Sequence, residues 1–223
     1  ALRFSSLNTC SGAWSSSSRN GTVDRSFVNA AAQHIELPGN IRNLFISPEN
    51  KFAFCYIEKN GCTSWTKILA NINRPNEKSG LCSTDTYWAA NDSQTLHGAA
   101  GQKQVFSDPA AIRAVFLRDP FARFVSAFVN KCLKLGHEGH CFDADAPSRG
   151  PVFMRDAVEW ASAHDLNAGV NVHWLLQNQH CGLRQHFDAY THVGLIQKNT
   201  YASDAMCLLK NANIEQYNEC DDQ

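Results

Sequence analysis

The chain has 223 residues, of which 43% are hydrophobic, and it carries a formal net charge of −1 at pH 7. This balance excludes a globally basic protein that coats nucleic acid or an anionic membrane, so local clusters must supply any anion binding. The length favours one domain, and no apolar run approaches the roughly 18–20 residues that a membrane span needs.

Residues 1–30 are polar and rich in serine, as in SGAWSSSSRNGT, and they predict a loose N-terminal arm. Residues 31–223 are predicted to form a single domain. No internal repeat is visible in either part.

The first recognisable unit joins a strand to a helix. Residues 52–57 form a short apolar run rich in aromatic side chains, which fits a buried strand. The helical pattern that follows ends near Pro75 and Gly80. Residues 79–104 are polar without a clear period, which predicts a long surface segment. The helix itself is predicted from apolar residues that recur on one face: Trp65, Ile68, Leu69 and Ile72.

The second unit has the same order of strand and helix. Residues 114–117, AVFL, read as a strand. Asp119 is suited to cap the next helix, and Pro120 is suited to its first position. The predicted apolar face of this helix comprises Phe121, Phe124, Val125, Phe128 and Cys132.

The remaining elements continue the alternation of helices and strands. A helix is predicted from near Pro151 to about His164, a short helix or turn over 171–181, a strand over 190–196 and a closing helix over 200–210. Strands that alternate with helices indicate an α/β domain with a central, mainly parallel sheet flanked by helices.

The turn EKNGCTSW after the first strand has the composition of an anion cradle. Backbone N–H groups at a helix start are unpaired and lie at the positive end of the helix dipole. Gly61 permits close backbone approach, Lys59 adds a charge, and Thr63 and Ser64 add hydroxyl groups. The turn is not a Walker A loop, because its lysine precedes the single glycine. The alternative is an ordinary turn with an incidental lysine.

A second anion site is predicted where the next strand ends. Arg118 lies at the carboxyl end of that strand, where open α/β sheets place ligands, and Ser126 lies two turns into the following helix. A guanidinium fork with a hydroxyl suits a terminal phosphate. The alternative is that Arg118 pairs with Asp119 or another acid and that Ser126 only packs.

Nine cysteines and two glycosylation sequons, at Asn20 and Asn91, favour a secretory lumen over the cytosol. No Cys-x-x-Cys pair occurs, so a zinc site is not indicated. We expect Cys55 in the strand and Cys62 in the turn to be free. Cys132 and Cys141, which flank a short glycine-containing loop, are the predicted disulfide pair.

Together the two units resemble the carbohydrate sulfotransferases of the Golgi lumen, the family that includes the chondroitin and dermatan 4-O-sulfotransferases. EKNGCTSW resembles their 5′-phosphosulfate loop, and FLRDPFARFVSAFVNK resembles their 3′-phosphate motif. The later segment VHWLLQNQHC with FDAYTHVGLIQ is similar to a further family motif. The sequence departs from the family at Glu58, where a proline is usual, and at Gln197, where glutamate is usual.

The resemblance implies the P-loop-like sulfotransferase fold and the donor 3′-phosphoadenosine 5′-phosphosulfate (PAPS), which leaves as 3′,5′-ADP. Lys59 would neutralise the bridging oxygen of the donor, and Arg118 and Ser126 would hold its 3′-phosphate. No metal is required by this scheme. The 5′-phosphosulfate would lie on the loop residues Lys59, Asn60, Gly61, Cys62, Thr63 and Ser64.

A base must take the proton of the acceptor hydroxyl. His97, in TLHGAAG, lies between the two anion motifs and resembles in position the catalytic histidine of uronyl 2-O-sulfotransferases. We therefore predict Lys59 and His97 as the catalytic residues. His173 matches a family motif, and a structural role beside Trp174 is expected for it.

The implied partners are the nucleotide donor and a hydroxylated acceptor, foremost a glycan, with no nucleic acid. The implied location is the Golgi lumen, with a type II membrane anchor outside this sequence. Three alternatives stay open: an alcohol or tyrosyl acceptor, a P-loop kinase or NTPase, and a non-catalytic domain that binds a nucleotide or glycan.

Overall fold

The computed structural model describes residues 41, 43–73, 87–134, 141–142 and 153–218. The arm predicted over 1–30 lies outside these residues, and so does the sequon at Asn20. The single domain predicted over 31–223 stays a prediction.

Four strands form one sheet in the order β1 to β4. β1 is antiparallel to β2, whereas β2, β3 and β4 are mutually parallel. The predicted α/β architecture with a mainly parallel sheet is therefore confirmed. The strands are β1 Leu44–Ser47, β2 Phe52–Cys55, β3 Ile112–Leu117 and β4 His192–Leu195.

Helices connect and flank these strands. Short 3-10 turns also occur at Gln177–Gln179, Phe187–Ala189 and Glu215–Asn218. None of the helices in the described ranges has the length and hydropathy of a membrane span. The helices are α1 Cys62–Asn73, α2 Tyr87–Ser107, α3 Pro120–Lys131, α4 Met154–Ala163, α5 Leu183–His186 and α6 Tyr201–Asn211.

The long surface segment predicted over 79–104 is wrong for residues 87–104, which belong to α2, and its first residues, 79–86, lie outside the described residues. Gly98, at φ 50° and ψ −155°, interrupts this helix, so no single apolar stripe runs along it. The polar residues of α2 do not all lie at the surface, because Gln102 is buried. The Gln102 amide accepts from Ile41 N at 3.0 Å and donates to Ile41 O at 3.1 Å.

Both faces of the sheet are buried, because alternate side chains of each strand point to opposite faces. On one face Phe54 and Phe116 pack against Trp65 of α1 and Leu208 of α6. The opposite face is covered by α2 and by residues 181–190. A third cluster joins α3 and α4 around Trp174.

Two disulfides are described in full. The predicted pair Cys132–Cys141 is confirmed, and so is the free thiol of Cys62. The prediction that Cys55 is free is wrong, since it is bonded to Cys181. Cys55 ends β2 on the face that residues 181–190 cover, and 126 positions separate the two cysteines, so no local pattern pointed to the pair. Cys207 is disulfide-bonded as well.

Candidate active site

The two predicted anion motifs meet at one edge of the sheet. The turn at residues 58–61 follows β2, and Arg118 follows β3. These strands are parallel neighbours, with Cys55 paired to Val115, so their carboxyl ends lie side by side. This is the edge at which open α/β sheets bind ligands.

The turn after β2 depends on left-handed backbone at two residues. Lys59 has φ 67° and Gly61 has φ 74°. α1 begins at Cys62 immediately afterwards, which presents its first N–H groups toward this turn. Gly61 has a second constraint, because a Cβ at this position would collide with the hydroxyl of Tyr201. Only glycine fits this position without displacing its neighbour.

The ammonium of Lys59 is half-buried and donates to Asn130 Oδ1 at 2.7 Å. Burial lowers the pKa of Lys59, the nearby Cys62 raises it, and the charges of Lys131 and Arg118 lower it, with a lowered pKa as the result. A cation held among other cations is an unfavourable arrangement unless an anion joins it. The site therefore has the electrostatic character of an anion receptor.

Arg118 is tied to the same turn. Its Nη1 donates to the carbonyl of Lys59 at 2.8 Å. Its own backbone N–H and C=O both pair with the side chain of Gln177. The guanidinium is thus held next to the turn, with no acidic partner among the residues that the structure describes. The alternative pairing with Asp119 is not what the structure shows, since Asp119 Oδ1 accepts from Ala122 N at 2.7 Å.

A cleft of about 620 Å³ opens between the turn and α3. Lys59, Arg118 and Ser126 all line it, so the structure brings these three predicted residues together. The lining combines cationic and polar side chains with apolar ones. The further lining residues are Ala122, Val125, Val129, Asn130, Leu133 and Lys134.

The other predicted loop residues are placed differently. Asn60 is buried, and its amide donates to Phe116 O at 2.9 Å and to Gln177 Oε1 at 2.7 Å. Gly61, Cys62 and Ser64 are half-buried at the start of α1, and Thr63 is exposed. Their role in donor binding stays a prediction.

α3 begins as predicted, with Asp119 capping and Pro120 in its first turn. Its predicted apolar face is wrong in part, because Phe121 is 71% exposed and Val125 lines the cleft. The buried face instead includes Arg123 and Lys131. Apolar residues of α3 are thus divided between the core and the wall of the cleft, which hydrophobic periodicity alone does not distinguish.

Sequence reasoning missed the support of the turn by Arg123. This buried side chain donates to Glu58 O at 2.9 Å and to Leu175 O at 2.7 Å. It therefore ties the residue before Lys59 to the chain that precedes Gln177. The sequence signal was its place on the polar stripe of a helix next to the anion motif.

Glu58, the departure from the family pattern, is buried beside His180. Asn43 Nδ2 donates to Glu58 Oε1 at 2.8 Å, and Glu58 Oε2 lies 3.4 Å from His180 Nδ1. Burial raises the pKa of Glu58. Burial, with the charge of Arg123, lowers the pKa of His180 to about 4. Both shifts oppose the charged form of the group, which weakens this contact as an ion pair.

The structure does not bring His97 to the cleft. Gly101, one turn further along α2, packs against His97 and lies close to Pro48. Pro48 follows β1, whose last residue pairs with the first residue of β2, so this neighbourhood lies at the opposite end of β2 from Lys59. The role of His97 as a base stays a prediction without a described contact to support it.

His173 lies in the turn before Gln177. Its backbone N–H donates to Asn171 Oδ1 at 3.1 Å, and its Nδ1 lies 2.6 Å from the same oxygen. Trp174, beside it, is buried in the cluster of α3 and α4. These contacts agree with the structural role expected for His173. Within the described ranges, no group of three or more His, Cys, Asp or Glu side chains is placed to hold a metal ion.

Comparisons with known proteins agree with this geometry. Carbohydrate sulfotransferase 11 of Rattus norvegicus is 23% identical over 119 residues, which cover 51% of this chain and 34% of that protein. Carbohydrate sulfotransferase 9 of Homo sapiens is 28% identical over 102 residues, which cover 41% of this chain and 20% of that protein. The chain thus spans about a third or less of these relatives. No solved structure matches significantly. The model of the sulfotransferase family matches residues 42–221, and the chain therefore belongs to that family.

Proposed function

We propose that the protein transfers a sulfuryl group from PAPS to a hydroxyl group of a glycan. The observation that carries this proposal is the cleft that Lys59, Arg118 and Ser126 line together at the carboxyl edge of the sheet. Family membership supports the donor, and the names of the two carbohydrate sulfotransferases support the acceptor.

The residues of the cleft fit a donor that carries more than one anionic group. The turn with Lys59 and the N-terminus of α1 would hold the 5′-phosphosulfate. Arg118 and Ser126 would hold the 3′-phosphate. The apolar lining residues Val125 and Val129 could contact a part of the ligand that carries no charge.

When bound, PAPS supplies the sulfuryl group, whose bond to the 5′-phosphate oxygen breaks as a bond to the acceptor oxygen forms. Lys59 would stabilise the charge that develops on the departing phosphate oxygen, in the manner that cations stabilise phosphoryl transfer. The proton of the acceptor hydroxyl would go to a base. If His97 is that base, His97→Ala must lower kcat by about 10²–10⁴-fold.

The location in the Golgi lumen belongs to the same proposal. Two buried or half-buried disulfides in the described chain support a secretory compartment, since such bonds are rare in the cytosol. A membrane anchor and glycosylation at Asn20 and Asn91 stay predictions.

The proposal is tested by calorimetry with 3′,5′-ADP, 5′-ADP and ATP. Wild-type protein should prefer 3′,5′-ADP, because only this nucleotide offers the 3′-phosphate to Arg118. Arg118→Ala should weaken 3′,5′-ADP by about tenfold or more and 5′-ADP far less, as expected for loss of a charge-assisted contact worth about 1.5–3 kcal/mol.

The matched control is Arg155→Ala on α4, where the guanidinium is exposed and far along the chain from the cleft. It should leave both affinities unchanged. A wild-type preference for ATP that depends on Mg²⁺ would contradict the proposal and favour a kinase or NTPase. Binding of no nucleotide would favour a non-catalytic glycan-binding domain.

A further inference from the structure

Side-chain hydrogen bonds replace the backbone hydrogen bonds where the ladder between β2 and β3 ends. The last paired residues are Cys55 and Val115. Beyond them the chain after β2 becomes the turn with Lys59. On β3, Leu117 O accepts from Ile196 on the β4 side. The backbone of the next residue, Arg118, therefore faces the opposite side, toward the turn, because successive residues of a strand alternate.

Gln177 occupies this position. Its Oε1 accepts from Arg118 N at 2.9 Å, and its Nε2 donates to Arg118 O at 2.8 Å. The same Oε1 accepts from Asn60 Nδ2 at 2.7 Å. Asn60 in turn donates to Phe116 O on β3. We call this set, the side chains of Gln177 and Asn60 with the backbone of Arg118, the amide clasp.

The amide clasp connects the two anion sites through residues next to the cleft. Asn60 lies in the turn next to Lys59, and Arg118 supplies the guanidinium of the second site. Gln177 does not line the cleft, so it acts through these two residues. Arg123, which donates to both Glu58 O and Leu175 O, holds the chain on either side of the clasp.

We propose that Gln177 is a positioning residue that fixes the separation of the 5′- and 3′-anion sites and thereby sets the preference for a nucleotide with phosphates at both ends. This inference rests on the proposed function. A nucleotide with both phosphates must engage both sites at once, whereas 5′-ADP engages only the turn. Displacement of one site relative to the other therefore weakens the first nucleotide more than the second.

An amide is the group this position requires. It presents an acceptor to Arg118 N–H and a donor to Arg118 C=O at the same time. Glutamate would place an acceptor against that carbonyl, and methionine would fill the same space without either hydrogen bond. Gln177→Met therefore removes the clasp while it retains the packing.

The experiment measures the ratio of the affinities for 3′,5′-ADP and 5′-ADP, together with the melting temperature, in the complete chain. Gln177→Met should lower this ratio by about tenfold, as expected for lost hydrogen bonds and a displaced anchor. Gln179→Ala is the matched control, because Gln179 lies in the same 3-10 turn and its side chain donates to the exposed Asn167 and Asn178. It should leave the ratio unchanged.

A second measurement tests the connection through Asn60. Asn60→Ala and Gln177→Met share one hydrogen bond, so the double variant should lose less than the product of the two single losses. If Gln177→Met does not fold, Gln177→Glu is used in its place, because it keeps the two accepted bonds and loses the donated one.

The outcomes separate the two proposals. An unchanged ratio in folded Gln177→Met, with only a lower melting temperature, would show that Gln177 is structural and would overturn the clasp proposal alone. Wild-type protein that binds the two nucleotides equally would overturn the proposed function, and the clasp proposal with it.

Discussion

The surroundings of Lys59 disfavour the charged form of its side chain. The side chain is half-buried and neighbours the cationic groups of Lys131 and Arg118, and burial is the main reason that its pKa is lowered. The sequence identifies the lysine and its place before Gly61. It does not reveal the contact with Asn130, which lies 71 positions away on α3. Residue types are therefore visible in the sequence, whereas the burial that tunes them is a property of the fold.

A pH-dependent affinity for 3′,5′-ADP follows from this lowered pKa. A lowered pKa means that the ammonium loses its proton at a lower pH than an ordinary lysine, whose pKa is about 10.4. Only the charged form attracts the nucleotide. Affinity should thus be complete below the pKa of Lys59 and should fall as pH rises through it. Calorimetry between about pH 7 and about pH 10 measures the decline.

Lys59→Ala should bind about tenfold more weakly at neutral pH and should lose this alkaline decline. Lys210→Ala, on the exposed surface of α6, should behave as the wild type. An alkaline decline of the same size in Lys59→Ala would assign it to another group, and Lys131 would be the next candidate because burial lowers its pKa as well.

At the scale of the element, the strand-turn-helix unit was predictable from the sequence. The packing of Tyr201 against its turn was not. The apolar run of β2 and the helical spacing of Trp65, Leu69 and Ile72 indicated the unit from local pattern alone. The turn is also shaped by Tyr201 at the start of α6, which lies 140 positions later in the chain. No local pattern shows that a side chain added at Gly61 would collide with the hydroxyl of Tyr201.

Gly61→Ala should therefore lower the free energy of unfolding by more than backbone strain alone. Gly169→Ala is the matched control, because Gly169 has the same φ of 74° and no atom within 4 Å of an added Cβ. Strain at such a φ costs roughly 1–2 kcal/mol, and overpacking adds roughly 1–3 kcal/mol. Denaturant unfolding of the two variants should differ by the overpacking cost.

Tyr201→Phe removes the hydroxyl nearest to the added Cβ. In that background Gly61→Ala should cost about 1 kcal/mol less than in the wild type, although the ring carbon at 3.2 Å still limits the recovery. Equal costs of Gly61→Ala in both backgrounds would show that Tyr201 does not restrict this turn.

At the scale of the whole molecule, the alternation of strands and helices predicted the α/β class and a mainly parallel sheet, but not which strands pair. β1 was missed because four residues carry too little periodicity to be recognised. The distant contacts were missed for a related reason. Gln177 and Asn60 lie 117 positions apart, and Cys55 and Cys181 lie 126 apart, so their proximity is created only when the sheet forms.

The disulfide between Cys55 and Cys181 gives the last prediction. It joins the end of β2 to the segment that covers one face of the sheet, and both cysteines are buried. A crosslink restricts the unfolded chain more when it closes a longer loop. A sequence separation of 126 corresponds to about 5 kcal/mol in the chain-entropy relation, against about 2.6 kcal/mol for the separation of 9 between Cys132 and Cys141. Alanine replacements are suitable, because a buried serine hydroxyl would add its own cost.

Denaturant unfolding should show that Cys55→Ala with Cys181→Ala loses more stability than Cys132→Ala with Cys141→Ala. Non-reducing peptide mapping of the wild type should recover both bridges. A larger loss for the short loop would contradict the prediction. Unbridged Cys55 and Cys181 peptides would also contradict it and would show that noncovalent packing alone holds residues 181–190 against the sheet.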